Sequence, residues 1–164
     1  MAFDAFLKLK GIDGESLDDK HSKWIEILSY SFNASQMTAG SRSTGGAANK
    51  ERVNLSDVTI VKALDKASPK IFLACCNGEP IEEAVIELCR ATKDKTKYLE
   101  IKMNDVVISS YAPGGAKNGE DLPTEQVSFN YGKIEVIYTA TDLKTGKAAG
   151  DVKAHWDLVT NKGG

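Results

Sequence analysis

The chain has 164 residues, 41% hydrophobic and 27% charged, and 21 basic side chains nearly balance 23 acidic ones for a net charge of -2. Such a length and composition describe one folded domain, residues 1–164, with a core of its own rather than a disordered chain. The balance excludes a strongly basic nucleic-acid binder and a polybasic membrane anchor, and no apolar run reaches the roughly 18–20 residues a bilayer span needs.

From the N-terminus the period is two, that of a strand. Phe3, Ala5, Leu7 and Leu9 share one face, with Asp4, Lys8 and Lys10 on the other, and Gly11-Ile12-Asp13-Gly14 reads as a turn. This alternation leaves no unbroken apolar stretch for a secretory leader, so the chain is expected to start in the cytoplasm. Trp24 to Asn33 alternates again, with Trp24, Glu26, Leu28, Tyr30 and Phe32 opposite Ile25, Ile27, Ser29 and Ser31. Gln36 to Lys50 is rich in Gly, Ser, Thr and Ala and has no period, which inside a compact domain marks a functional or disordered loop. Val53 to Leu64 carries apolar residues on both faces.

Ser68-Pro69 supplies an N-cap and an N1 proline, and Ile71, Phe72, Cys75 and Cys76 recur at helical spacing until Asn77-Gly78 stops the helix. At about nine residues it is too short to stand alone and must pack on a sheet. Leu99, Ile101 and Met103 form one strand, with Val106 to Tyr111 as its hairpin return. In Glu125 to Ala140 the apolar residues change phase at Gly132, which predicts a bulge or a passage from one sheet to another. Val152, Ala154, Trp156 and Leu158 close the chain on one strand face. The fold class is therefore mainly β, about eight or nine strands in a barrel or two-sheet sandwich with one short helix.

The sequence offers little for catalysis. Its two histidines, His21 and His155, read as surface or hydrogen-bonding groups, and no Gly-x-Ser-x-Gly elbow accompanies them. There is no C-x-x-C or H-E-x-x-H metal pattern, and Gly46 stands where a phosphate loop beginning at Gly40 needs lysine. Asp18-Asp19 and Glu82-Glu83 read as solvated surface. Cys75, Cys76 and Cys89 are odd in number and read as small apolar packing. The expectation is a protein that is not an enzyme and uses no cofactor or metal. Apolar strand faces beyond those one core needs, with Tyr111, Tyr131 and Tyr138, suggest an interface.

Met1 to Lys8, Gly14-Glu15-Ser16-Leu17-Asp18-Asp19-Lys20-His21, Ser68-Pro69, Tyr98-Leu99-Glu100-Ile101, the run Pro123 to Ile134 and Trp156 follow one another in an order that resembles the Hcp (haemolysin-coregulated protein) family. Tyr30-Ser31-Phe32 departs from it where many members carry tryptophan. The resemblance implies an Hcp-like β-barrel of two packed antiparallel sheets and one short α-helix, a subunit of the type VI secretion inner tube. Its copies would close into hexameric rings that stack inside a contractile sheath and carry effector proteins in the lumen. The implied partners are the chain itself, spike, sheath and baseplate components and effectors, with neither nucleic acid nor membrane; export would need no signal peptide. Within that frame Ser29 and Ser31 would face lumen and cargo, and Arg42 and Lys50 would lie on a loop contacting an adjacent subunit or ring. The other readings left open are a monomeric ligand-binding β-barrel, a phage tail-tube-like protein, and a serine hydrolase relying on His21 or His155.

Overall fold

Segments that alternate between residues leaving water and residues keeping it form strands in the computed structural model, which describes residues 2–38, 50–119 and 122–164. In chain order they are β1 (Phe3–Leu9), β2 (Ile25–Ile27), β3 (Ser29–Ser31), β4 (Ala34–Thr38), β5 (Lys50–Leu55) and β6 (Val58–Ala63), then the helix α1 (Ser68–Asn77). They continue as β7 (Ile81–Arg90), β8 (Lys97–Gly114), β9 (Thr124–Asn130), β10 (Lys133–Thr141), β11 (Ala148–Asp157) and β12 (Lys162–Gly163). The larger sheet runs β12-β11-β10-β8-β7-β1-β2, and the smaller runs β3-β6-β9-β8, so β8 belongs to both.

Three corners join the sheets. β8 pairs with β7 and β10 through residues 97–106, then with β9 through residues 107–114. The turn between its halves sits at Asp105, in the left-handed conformation at φ 53°. The expected hairpin is thus one continuous 18-residue strand. A single left-handed residue bends a strand, whereas a tight two-residue reversal of the commonest type needs two in succession. Opposite lies Gly132, where the chain passes from β9 in the smaller sheet to β10 in the larger, the second of the two outcomes its phase change predicts. The Gly132 amide donates to the Asn104 carbonyl at 3.0 Å, and a side chain at 132 would press on Asp105 Cβ at 3.2 Å. At the third corner Trp24 to Asn33, expected as one strand, divides at Leu28: Ile25 and Ile27 point into the core, Leu28 is exposed, and beyond it Tyr30 and Phe32 pack on the core while Ser29 and Ser31 face out. The Leu28 amide donates to the Val61 carbonyl at 2.7 Å and ties this corner to β6.

β7 has no counterpart in the sequence reading, yet it is central, paired to β1 from Ile86↔Leu7 outward and to β8 at Ile86↔Ile101. Its contiguous buried Ala84, Val85 and Ile86 blur the period of two, because both of its faces are covered there. Val53 to Leu64 is likewise two strands. β5 pairs with β4 as a separate hairpin, while in β6 Val58, Ile60 and Lys62 are buried and Thr59, Val61 and Ala63 form the outer face. Apolar residues thus occur on both faces of β6, Val58 and Ile60 inside and Val61 and Ala63 outside, though the inner face also carries Lys62. Part of the expected loop is also strand, since Gln36 pairs with Val53 and Thr38 with Lys50; residues 39–49, Arg42 among them, lie outside the described residues.

Leu7, Ile25, Ile60, Ile71, Ile86, Ile101, Met103 and Phe129 fill the space between the sheets, all under 2% exposed. α1 buries Ile71 and Ala74, half-buries Cys75 and leaves Phe72 and Cys76 in solvent, so only one line of the expected stripe is core. Gly78 closes the helix at φ 65°. Its N-cap is Ala67 without a side-chain cap, not Ser68. Instead Asp65 Oδ1 accepts from the Ala67 amide at 3.0 Å, and the Ser68 hydroxyl turns inward to Glu125 at 2.8 Å.

Candidate functional site

The outer face of the smaller sheet is built by register. Ser31 pairs with Thr59, Thr59 with Ser128 and Ser128 with Ser110, a row of four hydroxyls across β3, β6, β9 and β8. The next row is Ser29, Val61, Gln126 and Ala112. These eight residues include no charge, in a chain where 27% of side chains are charged. Ser29, Ser31, Ser110, Ala112 and Gln126 are exposed, and Thr59 bonds Ser128 across the strands at 2.9 Å. A shallow hollow of about 420 Å³ lies at the edge of this face, lined by Ser31, Phe32, Asn33, Ser56, Asp57 and Thr59. The structure thus puts Ser29 and Ser31 together on one water-facing surface. It adds Thr59, Ser110, Gln126 and Ser128, which sequence reading passed over because strands distant in the sequence meet only through pairing.

A second surface extends the core face of the larger sheet outward. Its cross-strand rows are Met103, Ile134 and Trp156; then Ile101, Val136 and Ala154; then Leu99, Tyr138 and Val152. Burial falls along them, from Met103 at 0% exposed to Tyr138 at 48% and Val152 at 69%. β10 and β11 therefore form a wing whose apolar side is half covered. The expected apolar surface after Gly132 lies here. A further apolar patch follows α1, where Phe72 is 54% exposed and its ring meets Tyr111 at 5.8 Å.

Two ionic clusters lie elsewhere in the fold, one beneath the smaller sheet and α1, the other over β1 and β7. Lys62, fully buried, bonds Glu125 at 2.7 Å, Asp65 at 2.9 Å and Ser68 at 3.1 Å. Tyr111 donates to the other Glu125 oxygen at 2.5 Å. Burial alone would raise the Glu125 carboxyl, but the hydrogen bonds from Lys62, Tyr111 and Ser68 outweigh it and hold it below the usual carboxylate range. Burial first, and the Glu125 carboxylate second, push the Tyr111 phenol up to about 12. The cluster pins α1 to the smaller sheet from beneath.

The other cluster fastens the irregular segment 10–24 over β1 and β7. His21 is 3% exposed, lies flat on Phe6 with ring centres 4.1 Å apart, and meets Trp24 edge-on at 4.8 Å. Its Nδ1 is 2.6 Å from Asp18 Oδ2 and its Nε2 2.6 Å from Glu87 Oε2. Lys95 bonds Asp18 at 2.8 Å, and the bonds from Lys95 and His21 lower the Asp18 carboxyl to about 2. Hence His21 is hydrogen-bonding but not a surface group, and Asp18 is not solvated as its neighbour Asp19 is; the interior contact with β7 was invisible before that strand was placed. Cys89 is buried as expected, whereas Cys76 is exposed. His155 sits on β11, its amide donating to the Gly164 carbonyl at 2.9 Å, far along the chain from the His21 cluster. Lys50 pairs with Thr38 in the β4–β5 hairpin, and Arg42 lies outside the described residues. Among the described residues no helix is long and apolar enough to cross a membrane.

Known proteins share this arrangement. The family model described as type VI secretion system effector, Hcp, matches residues 6–138. Protein hcp1 of Pseudomonas aeruginosa is 33% identical over 162 residues, 98% of each chain. The solved structure of a type six secretion system protein superposes with a TM-score of 0.93 at 35% identity, covering 99% of this chain and 100% of that one. Hcp1 from Salmonella typhimurium superposes with a TM-score of 0.81 at 30% identity over 99% of both chains. A barrel of two antiparallel sheets with one helix, matched along its whole length by these proteins, belongs to the Hcp family of type VI secretion proteins.

Proposed function

We propose that this type VI secretion Hcp protein is the structural subunit of an inner tube, closing into hexameric rings that stack inside a contractile sheath. The observation that carries the reading is the pair of unlike surfaces, a charge-free polar sheet face and a half-covered apolar wing. A closed ring needs heterologous contacts, in which one patch meets a different patch of the next copy. The wing rows ending in Tyr138 and Val152 provide one such patch, and α1 with Phe72 and Leu73 provides apolar area elsewhere on the molecule. The face carrying Ser29, Ser31, Thr59, Ser110, Gln126 and Ser128 then lines the lumen. Short uncharged side chains there contact effector proteins by adaptable hydrogen bonds, without the strong charge attraction that would retain cargo. Spike, sheath and baseplate components are the remaining partners, and the protein leaves the cell through this machine. Arg42, between β4 and β5 in the sequence, and Lys50, the first residue of β5, contact the adjacent subunit or ring.

Against the monomeric ligand-binding barrel stands the filled interior, with Leu7, Ile60, Ile86 and Phe129 packed where a ligand cavity would lie. Multi-angle light scattering and negative-stain images of the purified chain test the proposal. Annular particles of hexamer mass are the expected result, and a monomer at every workable concentration overturns it.

A further inference from the structure

His21, Glu87 and Cys89 bring three different metal-ligating groups to one buried point. A ring nitrogen of His21, a carboxylate oxygen of Glu87 and Cys89 Sγ all lie within 4.8 Å of one another, with Nε2 2.6 Å from Glu87 Oε2 and 3.9 Å from the sulfur. We propose that these three side chains bind one divalent cation of borderline softness, zinc being the type, and that the ion clasps segment 10–24 to β7.

The donor chemistry selects the ion. Imidazole, thiolate and carboxylate together suit zinc, and neither calcium nor magnesium takes sulfur or imidazole readily. Zinc sites with three protein ligands keep a fourth position for water. Bond lengths of about 2.0–2.3 Å at a tetrahedral ion put the imidazole nitrogen about 3.6 Å from the sulfur and about 3.4 Å from the carboxylate oxygen. The nitrogen–sulfur separation of 3.9 Å already approaches that, and the nitrogen–oxygen separation of 2.6 Å must open by less than an ångström. Glu87 has the freedom to move, its side chain being 17% exposed, the most open of the three.

The surroundings are arranged as a metal's second shell would be. Asp18 Oδ2 accepts a hydrogen bond from His21 Nδ1 at 2.6 Å, while Nε2 faces Glu87 and Cys89, and an ion would replace the hydrogen that Nε2 shares with Glu87. A carboxylate behind a histidine in this way fixes the tautomer and the ring orientation that a metal requires. Phe6 and Trp24 hold the ring from its face and edge. Charge also favours a cation. Among the described residues, Asp4, Asp18, Glu87 and Glu100 pair with two ammonium groups, Lys95 and Lys97, and Asp18 and Glu87 also with the His21 ring. Capture of an ion by the Cys89 thiol releases a proton, as metal binding by a thiol must.

The test uses the full chain carrying Cys75→Ala and Cys76→Ser, so that Cys89 is its single thiol. Cobalt(II) is titrated as the spectroscopic probe, then displaced with zinc. The expected result is a thiolate-to-cobalt charge-transfer band that saturates at one ion per chain, disappears on adding zinc, and is absent in Cys89→Ala. Asp18→Asn should weaken cobalt binding by about 10–100-fold through loss of the orienting carboxylate. Cys89→Ala exchanges one small apolar side chain for another, and circular dichroism checks its fold. No band in the folded parent chain, or an unchanged titration in Cys89→Ala and Asp18→Asn, overturns the proposal.

Discussion

Lys62 is a fully buried ammonium held by two carboxylates and a hydroxyl. Removing one member of such a group strands the others without water, at about 3–5 kcal/mol. Lys62→Met should therefore lower stability in urea by that amount, while Lys62→Met combined with Glu125→Leu recovers much of it; equal losses in both chains would contradict the argument. Tyr111→Phe removes one charge-assisted hydrogen bond and should cost about 1.5–3 kcal/mol in the same measurement. Asp18 makes an acid-side prediction. Folding takes its carboxyl from an ordinary 3.8 to about 2, so the folded chain binds fewer protons than the unfolded one in between. Its contribution is complete above about pH 4 and drains as pH falls toward 2, with the lowered Glu125 acting in the same direction. Thermal melts of Asp18→Asn should be lower near neutrality and converge on the parent at the acid end of this window.

Among the elements, β8 shows how a local conformation sets topology. Asp105 bends it at φ 53°, a region that costs an ordinary L-residue about 1 kcal/mol and a β-branched one more. Asp105→Gly should leave stability unchanged or raise it by up to about 1 kcal/mol, whereas Asp105→Val should lower it and disturb the contact with Gly132. Guanidinium denaturation of both variants checks the difference in sign. The phase change at Gly132 was legible because it reverses which face is apolar. The matching bend at Asp105 was not, since Asp and Asn serve turns and bends alike. β7 escaped notice for a related reason: a strand covered on both faces loses the alternation that identifies strands. α1 was found from Pro69 and Gly78, but its Ser68 proved to serve the interior and not the helix end.

For the whole molecule, the question is which surfaces meet other copies. Val152 is 69% exposed and Tyr138 48%, so changing them should alter folding stability by no more than about 0.5 kcal/mol for Val152 and little more for Tyr138. Val152→Glu and Tyr138→Lys should nonetheless shift the protein from rings to monomers by light scattering. Gln126→Glu, on the charge-free face, should leave both ring and fold intact and alter only effector retention in a pull-down. Rings that persist in Val152→Glu with Tyr138→Lys would remove the wing from the interface. The strand period, the helix and the ordered family motifs were all local or linear properties, so the sequence by itself determined a mainly β barrel with one helix and its family resemblance. Which hydroxyls share a face, which apolar row is left uncovered, and how His21 comes to lie between Asp18 and Glu87 were decided by the tertiary structure alone. Those juxtapositions depend on strand register and on the bends at Leu28, Asp105 and Gly132, where one residue of slip moves every later side chain to the other face.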